Sequence, residues 1–170
     1  MVSNQRDRIL DAVAHKVAAN GYAEVTVADV IARAGVSSKT FYELFSGKAD
    51  CFLAAFDAAV EILLGRVRAV FAAMPEATPA RARAVLQAVL EVLAAEPAFA
   101  RMSMVEAPAA GPAGRERYTS VLQRFLPLVE ELEKVPGGTR PGGFGRALGD
   151  HLEGAARRDR LGDLRADRRR

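Results

Sequence analysis

Apolar residues recur at helical spacing along most of the chain. Between Gln5 and about Asn20, Ile9, Leu10, Val13 and Val17 follow one another at intervals of three and four, which predicts an amphipathic helix closed by Asn20-Gly21. A shorter helix comes next, with Thr26 as N-cap, Asp29 three residues on, and Val27, Val30, Ile31 and Ala34 as its inward stripe. Gly35 suits a left-handed turn residue, and Val36 and Ser37 complete a connection short enough to set two helices at a steep angle. Ser37 is the natural N-cap of the next helix. On a wheel of about 100° per residue, that helix gathers Phe41, Leu44 and Phe45 on one side. The opposite side carries Lys39 and Glu43, flanked by Thr40 and Tyr42.

From Ser46-Gly47-Lys48 a long helix is predicted to about Ala73, with a stripe of Phe52, Phe56, Ala59, Leu63, Val67 and Val70. At about 1.5 Å per residue it extends for nearly 40 Å and ties the segment before it to the helices below. Met74-Pro75 ends it. Thr78-Pro79 opens a helix to about Ala95, with Ala82, Val85, Leu86, Val89, Leu90 and Leu93 inward. Glu96-Pro97 breaks that helix, and Pro97 to Ala107 reads as a short one containing Phe99, Met102, Met104 and Val105. The Pro- and Gly-rich run 108–114 reads as a loop. Tyr118, Val121, Leu122, Phe125, Val129 and Leu132 then mark a further amphipathic helix, with Pro127 as a kink. No segment alternates as a strand does, so the fold class is all-α.

Helix, glycine turn and helix, with aromatic anchors behind and polar, cationic and aromatic groups in front, is the layout of a helix-turn-helix facing a DNA major groove. The same geometry also occurs in purely structural bundles. The residues themselves narrow this choice: IARAGVSSKTFYELFSGKADCFLAAFD resembles, almost position for position, the DNA-binding domain of TetR-family transcriptional regulators. The resemblance is strong from about Arg6 to Asp57, and beyond that it is architectural. It implies a helix-turn-helix domain over residues 1–47 and an α-helical ligand-binding and dimerisation domain over residues 48–136. It also implies DNA contacts. Ser38, Lys39, Thr40 and Tyr42 lie on the helix placed in the groove, and Thr26 and Lys48 grip the phosphate backbone. For Arg6 and Arg8, in the opening turn of the first helix, solvated surface and phosphate contact remain two open readings.

Charge sharpens the picture only locally. The formal charge is +3, and residues 137–170 hold 9 Arg against 5 acidic groups, so the high pI comes from the end of the chain. Between Arg33 and Lys48 there are three cations and one acid, a small patch on the expected DNA face. The single cysteine, Cys51, excludes an intramolecular disulfide, and its apolar neighbours favour a packed core thiol over a redox sensor. With no signal peptide and no apolar run of about 18 residues, a cytoplasmic location and no membrane partner are expected.

The expected function is a sequence-specific dimeric transcriptional regulator on a palindromic double-stranded DNA operator, a repressor released by a small apolar effector. Phe99, Met102, Met104 and Phe125 are the candidate pocket lining, with ordinary core packing as the other reading of each. No cofactor or metal site is expected. An enzyme has little support, since no HExxH, GxSxG or Gly-rich phosphate loop is present. The segment 137–170 is atypical for the family: it holds 8 of the 14 glycines, one helix marked by Phe144, Leu148 and Leu152, and an Arg-rich end expected to be mobile. That departure motivates the alternative, a partner-binding or decoy member with impaired homodimerisation.

Overall fold

The computed structural model describes residues 2–133. The expectations for residues 137–170, including the Phe144, Leu148 and Leu152 stripe, lie outside the described residues. Within the described residues the chain is helical and has no strand.

Helix α1 (Val2–Asn20) ends at Gly21, whose N–H reaches back to the Val17 carbonyl at 2.8 Å and whose φ of 84° turns the chain away from the helix. Helix α2 (Val27–Ala34) begins with a reciprocal cap: Asp29 N–H donates to Thr26 Oγ1 at 3.2 Å, and Thr26 N–H donates to the Asp29 carboxylate at 2.9 Å. The bonds from Thr26 hold the Asp29 carboxyl below its usual range. At the other end Gly35, at φ 62°, closes α2 with its N–H on the Ile31 carbonyl. Helix α3 (Ser38–Leu44) starts from Ser37, whose Oγ accepts the Thr40 N–H at 3.0 Å. The N-cap and turn residues expected from the sequence are therefore the ones the chain uses.

One core runs beneath these three helices and into α4 (Lys48–Ala73), through Ile9, Val13, Val17, Val30, Phe41, Phe45, Phe52 and Phe56. Phe41 and Phe45 hold ring centroids 5.8 Å apart, and Phe41 meets the edge of Tyr42. Burying a side chain such as Phe41 contributes about 1.5–3 kcal/mol. Cys51 is fully buried in this cluster, and burial pushes its thiol up to about 12. The core thiol reading agrees with this environment.

Further along α4 the inward stripe runs through Val60, Leu64 and Val67, while Ala59 and Leu63 are only half-buried. Side chains spaced by four drift around an α-helix, so the buried face turns as the helix leaves α1 for new neighbours. Those neighbours are α5 (Pro79–Ala95) and α8 (Gly111–Glu133). Helix α5 opens as expected, with Arg81 N–H on Thr78 Oγ1 at 3.2 Å and Pro79 in its first turn. Its inward face differs from the expected one. Val85 is buried, but Leu86 and Leu90 are 58% and 56% exposed. The side turned to α4 is the narrower one of alanine and valine, and Arg81 is buried on it, with Nη1 on the Pro75 carbonyl at 2.7 Å.

After α5 come α6 (Pro97–Arg101), a π turn (Met102–Glu106) and α7 (Ala107–Ala109), where the sequence predicts one short helix. The Ala107 N–H donates to the Met102 carbonyl, five residues back. The predicted loop at 108–114 is instead a tight corner between α7 and α8. Pro108 and Pro112 stand in first turns, where a missing N–H costs nothing, and Gly111 at φ 84° makes the bend. A Cβ on Gly114 would lie 2.4 Å from the Ala107 carbonyl oxygen, so only glycine lets α8 start this close to α7. Pro127 sits inside α8 without ending it. Helix α8 packs Val121, Tyr118 and Phe125 onto the core, and the pairs Asp57–Arg117 (3.0 Å) and Glu61–Arg124 join it to α4. Burial raises the Asp57 carboxyl, and the Arg117 and Arg124 guanidinium groups oppose the shift.

Candidate nucleic-acid interface

The outer side of α3 is a short row of groups carried on a rigid base. Phe41 and Phe45 anchor the helix from behind, leaving Ser38, Lys39, Tyr42 and Glu43 exposed and Thr40 half-buried. The Lys39 side chain is 86% exposed, and Glu43 lies 3.9 Å from its Nζ, a loose pair that water or a phosphate readily replaces. Tyr42 is 59% exposed although its ring meets that of the fully buried Phe41. Such an aromatic, with a hydroxyl at its tip, offers both an apolar edge and a hydrogen-bonding group to a groove. Thr40 differs from its neighbours because its Oγ1 lies 2.9 Å from Ser37 Oγ, tying it to the cap that starts the helix.

Thr26 and Lys48, the two residues expected to grip phosphates, are both engaged within the protein. The Thr26 hydroxyl accepts from Asp29 N–H and donates to the Asp29 carboxylate, so the group left to meet a phosphate is the N-terminus of α2 itself. Lys48 Nζ donates to the Tyr22 carbonyl at 2.9 Å and to the Ala23 carbonyl at 3.3 Å, and it sits 4.5 Å from the Tyr22 ring centroid. Of its three N–H groups, two therefore brace the turn between α1 and α2.

The two arginines left open by the sequence part company. Arg8 donates through Nε and Nη2 to the Ala34 carbonyl and through Nη2 to the Gly35 carbonyl, which places a cation on the C-terminal end of α2. It holds the first helix to the turn before α3. Arg6 lies 5.7 Å from the Phe45 ring centroid, at the edge of the α3 base. Sequence reasoning missed the Arg8 role because its partner is a backbone carbonyl 26 residues away. Glu106 was missed as well, and it accepts the Tyr22 N–H from across the fold.

The four proposed pocket residues are not brought together as a lining. Met102 is fully buried and Phe99 nearly so, Phe125 is half-buried against the same core, and Met104 is 58% exposed. Residues two apart on a helix do not face the same way, so with Met102 and Glu106 turned inward, Met104 stands outside, as does Val105. An open cavity of about 550 Å³ lies instead between α4 and α5, lined chiefly by Ala69, Val70, Ala73, Ala88 and Val92, with Arg66 and Glu91 among its polar groups. Among the described residues no three His, Cys, Asp or Glu side chains converge as a metal site, and no helix is long and apolar enough to cross a membrane.

The family described as "Bacterial regulatory proteins, tetR family" matches residues 9–55, which run from within α1 through α2 and α3 to the start of α4. A TetR-family transcriptional regulator from Streptomyces coelicolor has the same fold, with a TM-score of 0.70 and 28% identity over 95% of this chain and 81% of that one. The fatty acid degradation regulator FadR from Bacillus halodurans aligns with a TM-score of 0.60 and 26% identity over 75% of this chain. The alignment covers 65% of FadR, which is less than two thirds of its length. A Clostridium perfringens protein assigned as a fatty acid metabolism regulator shares the fold, with a TM-score of 0.67 and 19% identity over 94% of this chain and 87% of that one. No sequence among curated proteins matches the chain. Residues 9–55, with the capped α2, the glycine turn and α3 on its aromatic base, match the tetR family of bacterial regulatory proteins, and the chain shares the fold of a TetR-family transcriptional regulator.

Proposed function

We propose that this chain is a DNA-binding transcriptional regulator that acts as a dimeric repressor on a palindromic operator and is released by a small apolar effector. The observation that carries the reading is the α3 face: Ser38, Lys39 and Tyr42 are exposed on a helix whose other side is locked into the core by Phe41 and Phe45. A side chain that reads a base edge needs this fixed backing, because looseness in the helix would be lost as binding entropy. Lys39, Thr40 and Tyr42 are assigned to base edges and nearby phosphates, and the N-terminus of α2 behind Thr26 to a phosphate. In this reading the DNA-binding domain ends near residue 47, and the helices from Lys48 onward form the sensing and dimerising part.

The α4–α5 cavity supports the effector reading, since about 550 Å³ falls within the usual range for a small-molecule site and its walls are mostly alanine and valine. The relative from Bacillus halodurans is a regulator of fatty acid degradation, and an acyl-chain ligand belongs to the same apolar class. Arg66 supplies a cation for a carboxylate or phosphate head at such a site. The partner-binding alternative draws on the exposed Leu86 and Leu90 of α5, and sedimentation at micromolar concentration separates the two by mass. Selection of bound DNA from a random pool tests the main reading: a recovered palindrome is expected, and a pool with no enriched sequence overturns it.

A further inference from the structure

We propose that Glu106 is a positioning residue that fixes the α1–α2 turn, and with it the α3 face, to the π turn of the body. Glu106 is 8% exposed, and its Oε2 accepts the Tyr22 N–H at 2.9 Å across a separation of 84 residues. Arg101 Nη2 lies 3.6 Å from the other carboxylate oxygen and holds it from the solvent side. Tyr22 is also seized elsewhere: its carbonyl accepts from Lys48, and its ring packs on Phe52 at 4.8 Å. One residue of a turn is thus bonded to α4 through its carbonyl and ring and to the body through its N–H.

The π turn makes this reach possible. Successive residues of an α-helix point about 100° apart, so the same sequence wound as plain α-helix from Pro97 would aim Glu106 elsewhere. The turn is not kept for local comfort, since Ser103 Oγ is buried within it without a hydrogen-bond partner. Gly21 fits the same arrangement. At φ 84° it brings Tyr22 N–H over the carboxylate, and a Cβ there would lie 3.7 Å from Glu106 Oε2. A shift of α6 and the π turn is therefore passed to the turn before α2 by a charge-assisted hydrogen bond and not by apolar contact alone.

The inference rests on the dimeric DNA-binding reading, and its test separates the two. In the full chain, Glu106→Ala is compared with unmodified protein on the selected palindrome, on palindromes of altered half-site spacing, and on a single half-site duplex. Loss of the latch should lower the preference for the palindrome over the half-site by at least about tenfold and widen the tolerated spacing. Half-site affinity should stay within about twofold, because no DNA-facing residue changes. Glu106→Gln, which keeps an acceptor, should restore most of the preference. Equal losses on half-site and palindrome, or an unchanged preference, would overturn the assignment. Amide exchange at Tyr22 in the unmodified chain judges the latch without DNA: slow exchange is expected, and exchange at the rate of an unprotected loop amide sinks it. If the unmodified chain shows no preference for a palindrome, the dimeric reading falls while the amide measurement still decides the latch.

Discussion

The helix-turn-helix and α5 are built from similar materials and finished differently. In α2 and α3 both starts are capped by a side chain and α2 is closed by Gly35, and the large apolar residues Phe41 and Phe45 are buried in the core. In α5 the start is capped equally well, but the larger apolar residues of its middle, Leu86 and Leu90, stand more than half in solvent while alanine and valine take the inner side. A cap depends on residues three or four positions apart and is complete once they are present. A stripe only says that a helix has an apolar side, and how much of that side is buried depends on the element across from it.

The strongest way to break this comparison is at its best-filled point. Phe41→Ala should cost about 3–5 kcal/mol in denaturant unfolding, through lost transfer energy and a cavity beneath α3; a loss below about 1 kcal/mol would show that the α3 base is less closely packed than its burial implies. Gly114→Ala comes next, at about 1–3 kcal/mol, because the added methyl meets a backbone oxygen that cannot swing away. A thermal melt that matches the unmodified protein would mean the α7–α8 corner opens freely.

Lys48→Met keeps the stem and removes the donations to Tyr22 and Ala23, so stability should fall by about 1 kcal/mol. The salt dependence of DNA binding should hold, and a slope lowered by about one unit would return Lys48 to phosphate contact. Smaller still, Leu86→Gln combined with Leu90→Gln should change stability by less than about 0.5 kcal/mol per site if their face stays open. A larger loss in equilibrium unfolding would show that this face is covered in the full protein, and the contrast with α3 would shrink accordingly. The effect of pH is the least of all near neutrality, where the thiol keeps its proton folded or unfolded, and it grows in alkali. An unfolded cysteine ionises from about 8.5, whereas native Cys51 holds its proton to about 12, so stability falls as pH rises through that window. Iodoacetamide should leave Cys51 unlabelled at pH 9 in native protein and label it on unfolding.

The helix-turn-helix was legible because its signals are local: Thr26 with Asp29, Gly35, and Ser37 with Thr40 each act within four residues. The π turn was not, since no residue type marks a bond to the fifth residue back. The Pro- and Gly-rich run misled for a different reason. Proline ends one helix and starts another equally well, and the need for glycine at position 114 comes from a contact with Ala107 that spacing does not reveal. Lys48 and Arg8 were placed on the correct part of the chain, but their partners are carbonyls 26 residues distant, which composition cannot name. The pocket residues failed to gather because Met102 and Met104, two positions apart, lie on opposite sides of their helical turn.

Gly114 touches no proposed DNA contact and stands apart from the α4–α5 cavity, yet every other amino acid is too large for it. In a saturation scan scored by reporter output, the position would score like a binding residue. Its intolerance would come from lost folded protein, so abundance has to be scored beside output before any map of function is drawn. Glu116, two positions along the same helix and exposed, would serve as the internal reference.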